Sequence, residues 1–120
     1  MRKAMVIDDS KTVRSYHKAL LLAEGLEIIE AENGMEAIER SLDGDIALFL
    51  VDVNMPIMDG YSFVKEIRKN ESYAFTPIIM ITTQAHDVDK EEAYKMGANL
   101  FEVKPIKPDV LKSFIKILLP

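Results

Sequence analysis

Short apolar runs alternate along the chain with stretches in which apolar residues recur at helical spacing. Continuous apolar runs are typical of strands buried on both faces of a parallel sheet, and alternating apolar and polar residues are typical of a half-buried strand. Residues 26–31 show that alternation, which indicates a strand nearer the sheet edge. The predicted strands are residues 4–7, 26–31, 46–51, 77–81 and 99–103.

Each predicted strand is followed by a predicted helix with recognisable end signals. Ser10 is a predicted N-cap for the first helix and Gly25 a natural stop. Asn33 and Glu36 have the spacing of a capping box, and Pro108 suits the first turn of the last helix. The predicted helices are residues 11–23, 34 to about 43, 60–69, 88–96 and 108–118.

Five strand-helix repeats joined by short links predict an α/β fold. The expected form is a doubly wound (βα)5 parallel sheet with helices on both faces and right-handed crossovers. A chain of 120 residues is close to the usual size of one domain, about 100–200 residues, so we expect a single domain over residues 1–120. The chain ends after the fifth helix, and we therefore expect no effector domain.

Composition narrows the class of protein. The net charge is −5 and the isoelectric point is near 5.0, which argues against a nucleic-acid-binding surface. The chain has no cysteine, so disulfide and thiolate chemistry are excluded and a reducing compartment is suitable. The N-terminal apolar stretch is too short for a signal peptide or a membrane span. We expect a cytoplasmic protein that is not inserted in a membrane.

Four of the five predicted strands end on a side chain that can carry chemistry. Asp8 and Asp9 follow the first strand, Asp52 the third, Thr82 the fourth and Lys104 the fifth. The carboxyl ends of parallel strands meet at one edge of the sheet, which is where ligands bind in open α/β folds. Taken alone, Asp52 could simply begin a turn, because several turn-forming residues follow it.

Three carboxylates at one edge indicate a cation. Asp8, Asp9 and Asp52 would repel one another and raise one another's pKa unless a positive charge lay among them. Mg²⁺ prefers oxygen ligands and keeps several waters, which suits two carboxylates, a backbone carbonyl and solvent. Zinc is disfavoured because the sequence offers no cysteine, and its two histidines are too distant in sequence to suggest a metal-binding pair.

Lys104 and Thr82 add groups that suit a phosphoryl group on Asp52. A phosphoryl group there would share its oxygens among Mg²⁺, the Lys104 ammonium and the Thr82 hydroxyl. Aspartate is a known phosphoryl acceptor that forms an acyl phosphate. The alternative is a structural carboxylate-lysine pair, which would not explain two further aspartates and a hydroxyl at the same edge.

The two histidines are expected to do less. The first helix carries an apolar stripe of Val13, Tyr16 and Leu20, which predicts the face that packs on the sheet. His17 lies beside that stripe, so a packed or rim histidine is favoured over a phosphorelay histidine. His86 is expected to be a solvated loop histidine.

These residues together resemble the response-regulator receiver domain over the whole chain, and among its members the free-standing chemotaxis regulators of the CheY type. Each motif is weak alone, but the set is highly specific. The matching elements are Asp8-Asp9, Asp52 with Val53-Asn54-Met55-Pro56 and Met58-Asp59-Gly60, Thr82 thirty residues after Asp52, and Lys104-Pro105 twenty-two after Thr82.

The resemblance implies a strand order of 2-1-3-4-5 and a metal-assisted phosphoacceptor. Asp52 would take a phosphoryl group from a phosphohistidine on a sensor histidine kinase or phosphotransfer protein, or from a small phosphodonor such as acetyl phosphate. Asp9, Asp52 and the backbone carbonyl of Asn54 would ligate Mg²⁺, with Mn²⁺ as a possible substitute, and Asp8 would act through a metal-bound water.

The resemblance also implies a conformational switch. Lys104 would pair with a phosphoryl oxygen, Thr82 would turn towards it, and Phe101, in place of the commoner tyrosine, would move from exposed to buried. The fourth helix, fifth strand and fifth helix would form the face that binds a downstream protein. The Lys104-Pro105 bond would be cis, the protein monomeric, and Asn54 and Gln84 would tune self-dephosphorylation.

Several functions remain as alternatives at this point. A receiver of this kind serves either chemotaxis or a phosphorelay as an intermediate. A Mg²⁺-dependent phosphohydrolase of the haloacid-dehalogenase type would need a second acid where Asn54 stands and a cap over its substrate. A scaffold that is never phosphorylated would not need the intact acids, and a flavodoxin relative would need phosphate-binding donors where Asp8 and Asp9 lie.

Overall fold

The computed structural model describes residues 1–83 and 87–120, with the backbone alone described for residues 87–89. Five parallel strands form one sheet in the order β2-β1-β3-β4-β5. The strands are β1 Lys3–Ile7, β2 Glu27–Ala31, β3 Ile46–Asp52, β4 Ile78–Thr82 and β5 Leu100–Val103. The predicted (βα)5 fold and its 2-1-3-4-5 strand order are therefore confirmed.

The helices alternate with the strands and cover both faces of the sheet. They are α1 Lys11–Ala23, α2 Gly34–Ser41, α3 Gly60–Ile67, α4 Asp87–Met96 and α5 Pro108–Leu118. Their bounds agree with the predicted ones to within two residues. A single 3₁₀ turn at Glu71–Tyr73, which the sequence analysis did not predict, precedes β4. Within the described part of the chain, no helix is both long and apolar enough to cross a membrane.

Side-chain caps fix where the first three helices begin. The Ser10 hydroxyl accepts a hydrogen bond from the Val13 N–H at 3.3 Å, and Asp59 Oδ1 accepts one from the Ser62 N–H at 2.8 Å. The Asn33 side chain caps α2 in the same way. These caps satisfy N–H groups that the helix itself leaves unpaired. α1 and α2 therefore begin within four residues of a strand end, whereas a longer loop separates β3 from α3.

The sheet separates two apolar layers. Alternate residues of each strand point to opposite faces, so Met5 and Ile7 of β1 pack with α2, α3 and α4, whereas Ala4 and Val6 pack with α1 and α5. Phe49 of β3 anchors the first layer through edge contacts with two other aromatic rings. Burial on both faces explains the continuous apolar runs in the central strands.

The buried face of α1 differs from the predicted one. The structure buries Arg14, His17 and Leu21, whereas Tyr16 of the predicted stripe is 37% exposed. The buried face lies one residue further along the helix than the predicted stripe. It includes polar side chains that form hydrogen bonds inside the protein, and the spacing of apolar residues does not reveal such positions. The expectation of a packed histidine at His17 is confirmed.

Candidate functional site

Three carboxylates meet at the carboxyl edge of the sheet, as predicted. Pairing of Ile7 with Val51 places the ends of β1 and β3 side by side. Asp8 and Asp52 are fully buried, whereas Asp9 is exposed. One carboxylate oxygen from each of the three aspartates lies within 4.8 Å of the others. The arrangement suits a small cation that enters from solvent past the exposed Asp9.

Lys104, which follows the edge strand β5, brings a positive charge to the same cluster. Its backbone N–H donates to the Thr82 carbonyl at 2.8 Å, which continues the ladder between β4 and β5. Its Nζ lies 3.3 Å from Asp8 Oδ2 and 3.1 Å from Asp52 Oδ1. The side chain is only 12% exposed. Lys104 is thus in contact with both buried carboxylates.

The electrostatics of the cluster keep one carboxylate unusually basic. Burial, reinforced by the negative charge of Asp8, raises the pKa of Asp52 to about 6, against the opposing effect of Lys104. Burial alone would lower the pKa of Lys104, but its pairing with Asp52 and Asp8 outweighs burial and raises that pKa. Two buried acids facing one lysine leave a net negative charge in the cluster.

The Asp52 carboxylate is short of hydrogen-bond donors. Oδ1 is paired with Lys104 Nζ at 3.1 Å, and beyond this ion pair neither oxygen accepts a hydrogen bond from the described residues. Buried polar atoms without partners are rare in proteins and call for an ion or ligand that completes them. The donors here are carboxylate oxygens without cysteine or histidine, so they fit Mg²⁺ or Mn²⁺ better than zinc.

A close approach between α3 and β3 shapes the loop after Asp52. The Gly60 N–H donates to the Val53 carbonyl at 2.9 Å, and a Cβ at Gly60 would overlap the Asp52 carbonyl oxygen. Glycine is therefore required where α3 begins. Asn54 is exposed in this loop, two residues beyond Asp52, and Ile57 is held at a positive φ of 69°, which is strained for a β-branched residue.

The two predicted switch residues are both buried. Thr82 is the last residue of β4 and is 2% exposed. Phe101 lies in β5 beside Met80 and is 7% exposed, so the exposed starting position that the resemblance implies is not the one in this structure. The ring has no hydroxyl to hydrate, which favours its burial in the apolar layer. The predictions for Gln84 and His86 lie outside the described residues.

Three residues of α1 that contact the site region were not predicted. Arg14 Nη1 donates to the Asp8 carbonyl at 2.7 Å, and its Nε pairs with Glu30 at 3.2 Å. Tyr16 and His17 bind the backbone of Ile106 in the loop that follows Lys104. Only an indirect sign of these contacts was present in the sequence, which was the run of polar and aromatic residues at positions 14–18 of the helix. The predicted cis bond between Lys104 and Pro105 is present.

Comparison with known proteins identifies the family. The model of the response regulator receiver domain matches residues 4–116. This chain belongs to the response regulator receiver family. The resemblance deduced from the strand-end residues is thereby confirmed, and the chain is a receiver of the two-component type rather than a metabolic enzyme. Phosphorylation and a conformational switch are general properties of that family.

Similar proteins include several chemotaxis regulators. The receiver is 40% identical over 119 residues to chemotaxis protein CheY1 of Helicobacter pylori, covering 98% of this chain and 96% of the relative. It is 39% identical over 112 residues to a CheY homolog of Campylobacter jejuni, covering 92% and 86%. Protein PilG of Pseudomonas aeruginosa is 34% identical over 118 residues, with 98% and 87% covered.

Solved structures show the same fold. Chemotaxis protein CheY4 of Vibrio cholerae superimposes with a TM-score of 0.93 at 35% identity and covers 99% of both chains. A putative response regulator of Chloroflexus aurantiacus gives a TM-score of 0.91 at 28% identity, with 99% of this chain and 98% of the other covered. The receiver therefore has a CheY-like architecture throughout its described length.

Proposed function

We propose that Asp52 is the phosphoacceptor of this receiver and that a divalent cation, Mg²⁺ or Mn²⁺, assists the transfer. The observation that carries the proposal is a buried carboxylate with one oxygen 3.1 Å from a lysine and the other without a hydrogen-bond donor among the described residues. A structural carboxylate-lysine pair would be expected to satisfy its own buried oxygens.

Asp9 and Asp52 are the carboxylates that would hold the cation, with the backbone carbonyl of Asn54 completing the protein ligands. Asp8 would act through a metal-bound water. When bound, the cation supplies neutralising charge to the carboxylates and to the incoming phosphoryl oxygens. The exposure of Asp9 fits a cation that retains several waters.

The chain's own residues supply the chemistry of transfer. An oxygen of the ionised Asp52 carboxylate attacks the phosphorus of a phosphohistidine, a new P–O bond forms, and the P–N bond breaks as the imidazole leaves. The product is an acyl phosphate on Asp52. Lys104, already beside Asp52 Oδ1, would pair with a phosphoryl oxygen, and the Thr82 hydroxyl would turn towards another. The same groups would serve self-dephosphorylation, in which water replaces Asp52 at phosphorus.

The partners follow from this chemistry. The phosphoryl donor would be a sensor histidine kinase or a phosphotransfer protein. The downstream protein would bind the face formed by α4, β5 and α5, which exposes Tyr94, Val103 and Ile117. The chemotaxis names of several relatives favour chemotaxis over a role as a phosphorelay intermediate. We further propose a monomeric, cytoplasmic protein with no nucleic-acid partner.

The test is the intact mass of the protein after incubation with acetyl phosphate, with and without Mg²⁺. Wild type should gain one phosphoryl group only when Mg²⁺ is present, and Asp52→Asn should gain none. Asp59→Asn is a matched control, because it removes an exposed carboxylate from the same loop while asparagine can still cap α3.

The control should be phosphorylated like wild type. Equal phosphate incorporation by Asp52→Asn would contradict the assignment of Asp52. No incorporation in any variant, with the purified kinase as donor as well, would favour a scaffold that keeps its acids without using them.

A further inference from the structure

Two neighbouring side chains of α1 hold both polar backbone groups of Ile106. The Tyr16 hydroxyl donates a hydrogen bond to the Ile106 carbonyl at 2.9 Å, and His17 Nε2 accepts one from the Ile106 N–H at 3.2 Å. Ile106 is completely buried, so these side chains satisfy groups that water does not reach. We call this pair, Tyr16 and His17, the Ile106 clamp.

The state of His17 makes it a suitable acceptor. The ring is completely buried, and burial, with a smaller effect from the charge of Lys104, lowers its pKa to about 4. At neutral pH the imidazole is therefore uncharged, with Nε2 free of a proton and able to accept from Ile106. Nδ1 has no hydrogen-bond partner among the described residues. The Tyr16 ring packs edge-on against the imidazole at 5.2 Å.

The clamp lies two residues beyond Lys104 in the chain. On one side, the backbone of Lys104 is bound to β4 through the Thr82 carbonyl. On the other side, the clamp binds Ile106 to α1. The backbone is thus held by hydrogen bonds on both sides of Lys104. This limits the positions that the flexible four-carbon side chain of Lys104 can reach.

An open cavity beside this loop indicates why the hydrogen bonds to Ile106 matter. A cavity of about 310 Å³ opens next to Lys104 and Pro105, with Tyr16 in its wall. Among the described residues, close packing therefore does not hold the side of the loop that faces this cavity. Without the hydrogen bonds to Ile106, the loop could shift into this space and carry Lys104 away from Asp52.

We infer that Tyr16 and His17 are positioning residues that act through Ile106 to hold Lys104 against Asp52 for phosphoryl transfer. The inference rests on the proposed phosphoacceptor function. Misplacement of a group in a transfer site by about 1 Å slows a reaction by up to about 100-fold, so a partial shift of Lys104 is expected to have an effect of about ten-fold.

The experiment compares phosphorylation rates from acetyl phosphate at saturating Mg²⁺. His17→Val leaves the Ile106 N–H without an acceptor and should slow phosphorylation about ten-fold. His17→Gln places an amide oxygen near the position of Nε2 and should restore most of the rate. Tyr16→Phe should slow the reaction by a smaller factor, and Ser72→Ala, which removes an exposed hydroxyl from the 3₁₀ turn before β4, should not change it.

A double-mutant cycle tests whether the clamp acts through Lys104. In a Lys104→Ala background, His17→Val should cause no further loss of rate, because the side chain that it positions is gone. A purely structural effect of His17→Val would instead slow phosphorylation by the same factor in both backgrounds. Hydrogen exchange at the Ile106 amide would show that the bond has been removed.

The outcomes separate the two proposals. If wild type takes up no phosphoryl group, the proposed function fails. If wild type is phosphorylated and His17→Val reacts equally fast, or slows equally without Lys104, the clamp is refuted. Should His17→Val not fold, the comparison of Tyr16→Phe with Ser72→Ala, again with and without Lys104, decides by the same criterion.

Discussion

Asp52 and His17 are buried titratable side chains whose pKa values move in opposite directions. Burial, together with the charge of Asp8, raises the pKa of Asp52 from 3.8 to about 6. Burial and the charge of Lys104 lower the pKa of His17 from 6.5 to about 4. Between pH 4 and 6 the folded state therefore holds a proton on Asp52 that the unfolded chain releases, and lacks a proton on His17 that the unfolded chain binds.

These shifts predict opposite effects on stability. As pH falls from 6 to 4, Asp52 contributes increasing stability, because its folded pKa lies above its unfolded value. His17 contributes stability above pH 6.5 that is lost as pH falls towards 4, because its folded pKa lies below its unfolded value. Each contribution is on the order of 3 kcal/mol, at about 1.4 kcal/mol for each pKa unit, and the two nearly cancel in wild type.

Two variants should separate the contributions of Asp52 and His17 to the pH dependence of stability. In Asp52→Asn the free energy of unfolding should fall as pH drops from 6.5 to 4, since His17 is left to act alone. In His17→Gln it should rise over nearly the same range. Urea unfolding at several pH values, without divalent cations, measures both. If the two variants showed the same pH slope as each other, the assigned shifts would be wrong.

Single residues show where sequence analysis succeeds at the site. Asp52, Thr82 and Lys104 could be predicted because strand periodicity locates the strand ends and a parallel sheet brings those ends together. Tyr16 and His17 could not, because their partner Ile106 is 89 residues away from His17 in sequence. No periodic pattern encodes a hydrogen bond between a helix and a distant loop.

At the scale of elements, Arg68 joins the end of α3 to segments on both sides of β4. Its guanidinium donates to the carbonyl oxygens of Tyr73, Thr76 and Gly97 and to the side chain of Asn99. Asn99 in turn accepts from the Ile78 N–H at the start of β4. Within the described part of the chain, the Arg68 charge therefore has carbonyl and amide partners and no carboxylate. This connection was invisible in the sequence, where residue 68 is simply a polar residue at the end of a helix.

The geometry predicts that Arg68→Lys is destabilising. A lysine has three donors on one nitrogen and cannot span the acceptors that the planar guanidinium reaches. We expect a loss of about 1–3 kcal/mol in the free energy of unfolding, from part-buried carbonyls left without donors. Arg40→Lys, at an exposed ion pair on α2, is the control and should change stability by less than about 0.5 kcal/mol. Equal effects in urea unfolding would contradict the role assigned to Arg68.

At the scale of the whole molecule, β5 connects the site to the proposed binding face. Lys104 follows this strand directly, and Phe101 within it packs beside Met80 of β4. The (βα)5 fold was predicted because every strand-helix unit was locally clear, whereas the strand order was implied by the resemblance to the receiver family. The burial of Phe101 was not predicted, because it depends on tertiary contacts within the apolar layer, where Phe101 lies beside Met80, and not on local pattern.

The same connection predicts that Lys104→Ala separates phosphorylation from signalling. The variant should still accept a phosphoryl group on Asp52 at saturating Mg²⁺, though more slowly. It should lose most of the conformational change on the face formed by α4, β5 and α5. Without Lys104, the phosphoryl group has no ion pair with the residue that follows β5 and cannot shift that strand end. Amide chemical shifts of Tyr94, Val103 and Ile117, recorded with and without acetyl phosphate, measure that change.

Lys107→Ala, at an exposed lysine in the same loop, should respond like wild type. Full chemical-shift changes in phosphorylated Lys104→Ala would show instead that the signal reaches the face without this lysine, with Thr82 and β4 as the remaining route.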